Sequence, residues 1–207
     1  MQHTRFALLA APALISVYGL VRLADGLDGR HGPGALWVLG HLAFLVSIAL
    51  FVPVLLTLRR AAGGRGAAGR VVAAISTAVG LAGAAAAAAQ FGIDVWVGGT
   101  AADPDEMSRM FDSVKSVPGV PAIVYGPGPA LFYLGLLALL IGCVAVRALP
   151  AWAPAATLAG IVASLASLDL LPLTGALVLV SLLPLWRAGV RPGAAPDAAT
   201  SPARGTA

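Results

Sequence analysis

Charged side chains are scarce in this sequence. Only 11% of its 207 residues are Asp, Glu, Lys or Arg, against 59% hydrophobic, and the mean hydropathy is +0.91. A soluble domain carries about a quarter charged residues. So much apolar surface cannot be hidden in one small core, and the solvent it calls for is a lipid bilayer. Cysteine is reduced to Cys143, inside an apolar run, which excludes an internal disulfide and leaves a thiol of the inert, buried kind. Lysine is nearly absent, since all but one of the 13 basic residues are Arg. With abundant Ala and Gly, that bias points to a GC-rich bacterial genome. The net charge of +4 does not signal nucleic acid, because no basic stripe with interleaved aromatics occurs.

Motifs for chemistry are missing as well. A zinc site could draw on His41, Asp94 and Asp169, but only one His lies at membrane depth and no H-x-x-x-H or Cys pair supports it. A serine hydrolase would need a Ser beside His41; Ser47 lies almost two turns away in the same run, and no G-x-S-x-G occurs. A b-type haem wants axial histidines at matching depth, whereas His3 and His31 fall outside the apolar runs. The glycines of "AAGGRGAAG" follow no strand, so they form no nucleotide-binding loop. No catalytic residue, metal or cofactor is assigned on this basis.

Long apolar runs dominate what remains. They cover residues 6–23, 34–58, 71–97, 122–146, 152–168 and 170–186. Each of the first four is close to the ~20 residues a helix needs to cross the hydrocarbon. The last two form one continuous stretch, too long for one crossing and short for two, so the break must fall at "SLDLLP". Asp169 can cap the helix that follows, with Pro172 in its first turn. The pattern predicts an all-α, polytopic membrane bundle of six transmembrane helices over residues 1–187, then a disordered cytoplasmic tail over 188–207. Arg5 before "FALLAAPALISVYG" imitates a signal peptide, but no small-x-small cleavage site follows, so the first helix is read as retained.

Arg and Lys in the loops set an orientation. With both termini cytoplasmic, Arg5, Arg59, Arg60, Arg65, Arg70, Arg147, Arg187, Arg191 and Arg204 lie inside, and only Arg22, Arg30, Arg109 and Lys115 outside. The expected location is a bacterial inner membrane. Trp37 and Trp96 then mark outer helix ends, and Trp152 and Trp186 inner ends, as interfacial indoles do.

Two segments carry local signals. In "DPDEMSRMFDSVKS", Asp103 reads as N-cap, Pro104 as first helical residue and Glu106 as its capping partner. Met107, Met110, Phe111 and Val114 then recur at helical spacing. This predicts a short amphipathic extracellular helix over about 103–116, either an interfacial anchor, the plainer reading, or a lid over a site. In "VYGPGPALFY" a regular helix starting near Pro129 is the simpler account, against a broken helix opening on a cavity.

Polar residues at membrane depth are expensive and need partners or water. Counting from the outer boundary puts Arg22, Asp94, Tyr125 and Asp169 near the surface, and Tyr18, His41 and Gln90 roughly one to two turns deeper. Tyr18 and Arg22 share a helix face, as do Gln90 and Asp94. The third run is rich in Ala and Gly, with Gly80, Gly83, Ala84 and Ala87 forming a narrow face for close approach, which places it near the bundle centre with Gln90 and Asp94 inward. Together these seven side chains make a candidate polar pocket opening outward, built from spans one, two, three and five. Arg22 would pair with Asp94 or Asp169, and His41 with Tyr18 or Gln90. Taken singly each has a plainer role: Arg22 snorkels, Asp169 caps, Asp94 is solvated, and His41 is a satisfied core histidine.

With the spans, "GHLAFL", "QFGIDVWVGG" and "LDLLP" in view, the chain resembles small six-helix integral membrane proteins of GC-rich bacteria that have no assigned activity. The resemblance is of architecture over most of the chain and carries over no functional residue. The expected function is a non-enzymatic subunit binding a partner or small ligand in the outward-facing pocket. The expected partners are the lipid bilayer and a membrane protein or second copy, and not nucleic acid. The alternatives are a membrane-embedded enzyme using His41 with Asp94 or Asp169, and a small transporter hinged at 126–129.

Overall fold

The computed structural model describes residues 2–27, 29, 31–64 and 66–188. The tail expected to be disordered lies outside the described residues, except Ala188, which ends the last helix. The elements are α1 (Gln2–Asp25), α2 (Ala35–Ala62), α3 (Ala67–Thr100), α4 (Pro104–Lys115), α5 (Val120–Ile123), α6 (Pro127–Ala145), α7 (Trp152–Ala166), a short 3-10 turn (Leu168–Leu170) and α8 (Leu171–Ala188), with no strand among the described residues. Five segments are long and apolar enough to cross a membrane: Thr4–Asp25, Ala35–Ala62, Ala67–Thr100, Val120–Ala145 and Leu168–Ala188. The fifth apolar run is different. α7 has 15 residues, about 22 Å of helix against about 30 Å of hydrocarbon.

Successive helices α1, α2, α3, α6, α7 and α8 run antiparallel. α1 packs against α2 and α8, and α2 against α1, α3 and α6. α3 packs against α2 and α6, and α7 mainly against α8. The core joins them through Leu8, Ile15, Phe51, Leu55, Phe132, Leu136, Leu139, Leu140 and Leu182. α2 has the most extensive packing, shared among α1, α3 and α6. Against expectation α3 is not central, since its Val71, Val72, Ile75 and Trp96 face outward and are exposed. Its other face is a buried stripe at helical spacing, including Thr77, Gly80, Gly83, Ala84, Ala87, Phe91, Asp94 and Gly98. This is the narrow face read from the sequence. A Cβ on Gly83 would overlap the backbone of Phe132, and one on Gly135 the backbone of Gly80. Close backbone packing of this kind replaces the hydrophobic driving force that lipid removes.

Hydroxyls lock the last hairpin. Thr174 Oγ1 donates to the Gly160 carbonyl at 2.7 Å, Thr157 Oγ1 to Ser181 Oγ at 3.0 Å, and Ser181 Oγ to the Ala153 carbonyl at 2.8 Å. The break falls where expected, but its cap is Ser167, whose Oγ accepts from the Asp169 N–H at 3.2 Å, rather than Asp169. α4 starts as the sequence reads: Asp103 Oδ1 accepts from Glu106 N–H at 2.7 Å, and Glu106 Oε2 accepts from Ala102 N–H at 2.7 Å. The fourth run contains a one-turn α5, a break at 124–126, and then α6, which begins at Pro127.

The two ends of the bundle differ in charge. Arg5 donates to the Trp186 carbonyl at 3.3 Å and lies 5.5 Å from the centre of its indole, so the start of α1 and the end of α8 share one end. Arg59, Arg60, Arg70, Arg147 and Arg187 lie at that end by the course of the helices, and no described carboxylate joins them. Every described Asp and Glu sits at the opposite end, with Arg22, Arg109 and Lys115.

Candidate functional site

The acidic end holds a buried polar cluster where α1, α2, α3 and the α5–α6 break meet. His41 enters from the second turn of α2, where Gly40 lets Tyr18 and Val21 of α1 approach closely. Its Nδ1 lies 2.7 Å from the Trp37 carbonyl. A carbonyl oxygen only accepts, so Nδ1 carries the hydrogen and Nε2 is the other face of the ring. Nε2 points to Asp94 Oδ2 at 3.7 Å, an ion-pair distance rather than a hydrogen bond. Both side chains are closed off, 6% and 8% exposed.

Asp94 is held from two further directions. Tyr125, in the break between α5 and α6, donates its hydroxyl to Asp94 Oδ1 at 3.1 Å. The Trp37 indole N–H donates to the Asp94 carbonyl at 2.8 Å. Trp37 gets there because Gly98 has no side chain; a Cβ at that position would overlap the indole. Aromatic rings surround the pair. Trp37 stacks on His41 with centroids 4.3 Å apart, Tyr18 and Phe91 each approach it at 5.3 Å, and Phe44 stacks on Phe91 at 3.9 Å.

α4 covers this mouth. Met107 is buried, and Phe111 approaches Trp37 at 6.3 Å and Tyr125 at 6.4 Å. At its last turn the Lys115 ammonium lies 5.5 Å from the Phe111 ring centre and 5.3 Å from that of Tyr125, within electrostatic reach of Asp94. α4 thus packs on the cluster through Met107 and Phe111.

Arg22 lies beside the cluster. Its Nε is 4.0 Å from Asp169 Oδ1 and, among the described residues, has no hydrogen-bond partner although buried. A narrow cleft of about 10 Å³ runs past Tyr18, Arg22, Asp25, Trp37 and His41, room for about one water. Asp25 also meets His31, at 3.4 Å.

The structure thus brings Tyr18, Arg22, His41, Asp94 and Tyr125 to one end and leaves two expected members out. Gln90 is half-buried beside the α3 stripe and, among the described residues, makes no side-chain hydrogen bond. Asp169 is 59% exposed and touches the group only through Arg22. The fifth span therefore does not wall the cluster; the α5–α6 break and α4 do. His41 bonds neither Tyr18 nor Gln90, because the carbonyl one turn back on its own helix takes its Nδ1 hydrogen. Trp37, in the first turn of α2, is half-buried in the cluster. Trp37, Phe91, Phe111 and Lys115 were missed as members. The available signal was Trp37 four residues before His41, hence on the same helix face. Among the described residues no group of three His, Cys, Asp or Glu side chains could hold a metal ion.

No protein-family model, curated protein or solved structure matches this chain.

Proposed function

We propose that the chain is a non-enzymatic, six-span protein of a bacterial inner membrane, with both termini cytoplasmic, that binds a small cation at its outer end under α4. α7 is the sixth crossing, a short one of 15 residues that ends at the extended Ser167. An even number of crossings fits the meeting of Arg5 with Trp186, and the Arg-rich end matches the cytoplasmic preference of basic residues.

The observation that carries the binding reading is Lys115. The protein stations its own ammonium against the Phe111 and Tyr125 rings, above a carboxylate walled by aromatics. Aromatic faces with a carboxylate behind them are the chemistry that receives organic ammonium groups. Lys115 is then the tethered occupant that a soluble cation displaces as α4 lifts.

Catalysis is the weaker reading. Nδ1 of His41 is committed to a backbone carbonyl, and Asp94 Oδ1 accepts from Tyr125. Ser47, the serine weighed for a hydrolase, donates to the Ala11 carbonyl at 2.7 Å. Transport is weaker too. Between the His41–Asp94 layer and the Arg-rich end, Ser47, Thr57 and Thr77 are hydroxyls spent on backbone carbonyls, not a path for charge.

The test is titration of tetramethylammonium into the full chain in nanodiscs, read by tryptophan emission with Trp37→Phe as the reporter control. Lys115→Ala should tighten binding several-fold and Asp94→Asn weaken it about tenfold, as cation–π and charge contributions of about 0.5–2 kcal/mol imply. Absence of saturable binding in both wild type and Lys115→Ala sinks the reading.

A further inference from the structure

We infer that the opposite, Arg-rich end holds a second site, for a phosphate-bearing anion, between the last turn of α2 and the first turn of α3. A cavity of about 370 Å³ opens there, lined by Leu56, Arg59, Arg60, Gly63, Gly64 and Arg70. That volume lies within the ~300–1,000 Å³ typical of small-molecule sites. It is far larger than the cleft beside His41.

The surroundings favour one sign of charge. From Gly29 to Ile93 the sequence contains no Asp or Glu, so neither helix brings a carboxylate to this end. Guanidinium groups suit phosphate because their fixed fork of N–H donors matches its oxygens. Gly63 and Gly64 put no side chain on the cavity wall, and Gly64 has a φ of 52°, the left-handed conformation that glycine adopts without strain. The Arg70 stem passes beside Gly63, where a Cβ would lie 3.6 Å from its Cγ.

Leu56 supplies the remaining wall and is itself exposed on the flank that faces lipid. A charged cavity with an apolar edge suits a phosphodiester whose acyl chains stay in the bilayer, and basic pockets between transmembrane helices bind such headgroups. The same donors would take free phosphate. The site rests on this cavity and its charge, and is independent of the cation reading at the other end.

The experiment uses the full chain in nanodiscs of phosphatidylcholine, without and with phosphatidylglycerol, and a separate titration of inorganic phosphate into the phosphatidylcholine sample. Native mass spectrometry counts retained lipid, and calorimetry follows the phosphate. Retention of phosphatidylglycerol at least tenfold above phosphatidylcholine assigns a headgroup. It should be lost in Arg59→Gln/Arg60→Gln/Arg70→Gln and kept in Arg187→Gln, which removes a charge from the same end outside the cavity. Saturable phosphate binding with the same dependence on the variants, and no lipid preference, assigns free phosphate. Circular dichroism checks the fold; if the triple variant is unfolded, Arg59→Gln and Arg60→Gln alone should each lower retention several-fold. Equal loss in Arg187→Gln, or no preferential binding of either anion, overturns the proposal.

Discussion

Tyr125 owes its place to a break in the chain. Pro127 removes a backbone donor, the helix stops after Ile123, and the residues between turn a phenol toward Asp94. The resulting bond ties the α5–α6 break to the carboxylate. Tyr125→Phe should therefore cost about 0.5–1.5 kcal/mol, the net worth of one such bond, seen as a lower unfolding midpoint in mild detergent. An unchanged midpoint would mean that the bond contributes nothing. Much of this neighbourhood was legible from residue type alone. An Asp, a His and two Tyr at membrane depth need partners, and counting turns put them at one end. Gln90 misled because an (i, i+4) relation to Asp94 suggests a shared face. The buried stripe instead runs through Ala87, Phe91 and Asp94, and Gln90 falls to its side. The depth of a residue follows from counting, but its angular position depends on which neighbours a helix has, and that is a tertiary fact.

At the scale of elements, the small residues of α3 act as a docking surface for α6. Gly83→Val should be among the most damaging single changes in the chain, because its side chain would meet the Phe132 backbone, which cannot move aside. Overpacking costs about 1–3 kcal/mol or more. The expected readout is loss of folded protein after extraction, against little change for Gly92→Ala, where a Cβ meets nothing within 4 Å. Equal behaviour of the two variants would remove α3–α6 packing as a stabilising contact. The helices themselves were readable because apolar runs bounded by Gly, Pro and Arg leave few alternatives. The length of α7 was less so. A continuous apolar stretch does not mark how its residues divide between two helices, and the partition was set by Ser167 capping the turn. The centrality of α3 was misjudged for a related reason. A small-residue face shows that a helix is approached closely on one side and says nothing about its other side, where Val71, Val72 and Ile75 are exposed.

Across the whole molecule, the segregation of charge gives the proposed orientation a direct check. Ser113, on α4, and Ala68, at the start of α3, are both exposed and lie at opposite ends, while Cys143 is buried. In intact cells a membrane-impermeant maleimide should label Ser113→Cys at once and Ala68→Cys only after permeabilisation. The reverse pattern would invert the molecule and move the cation site to the cytoplasm. The same segregation has an electrical consequence. With guanidinium groups at one pole and carboxylates at the other, the folded chain carries a permanent moment along the membrane normal. A resting potential, negative inside, acts on that moment with about 2.3 kcal/mol per elementary charge per 100 mV across the full field. In the proposed location and orientation, voltage would therefore oppose any inverted copy, a bias that is absent in unpolarised vesicles, where only the insertion step would fix which pole faces out.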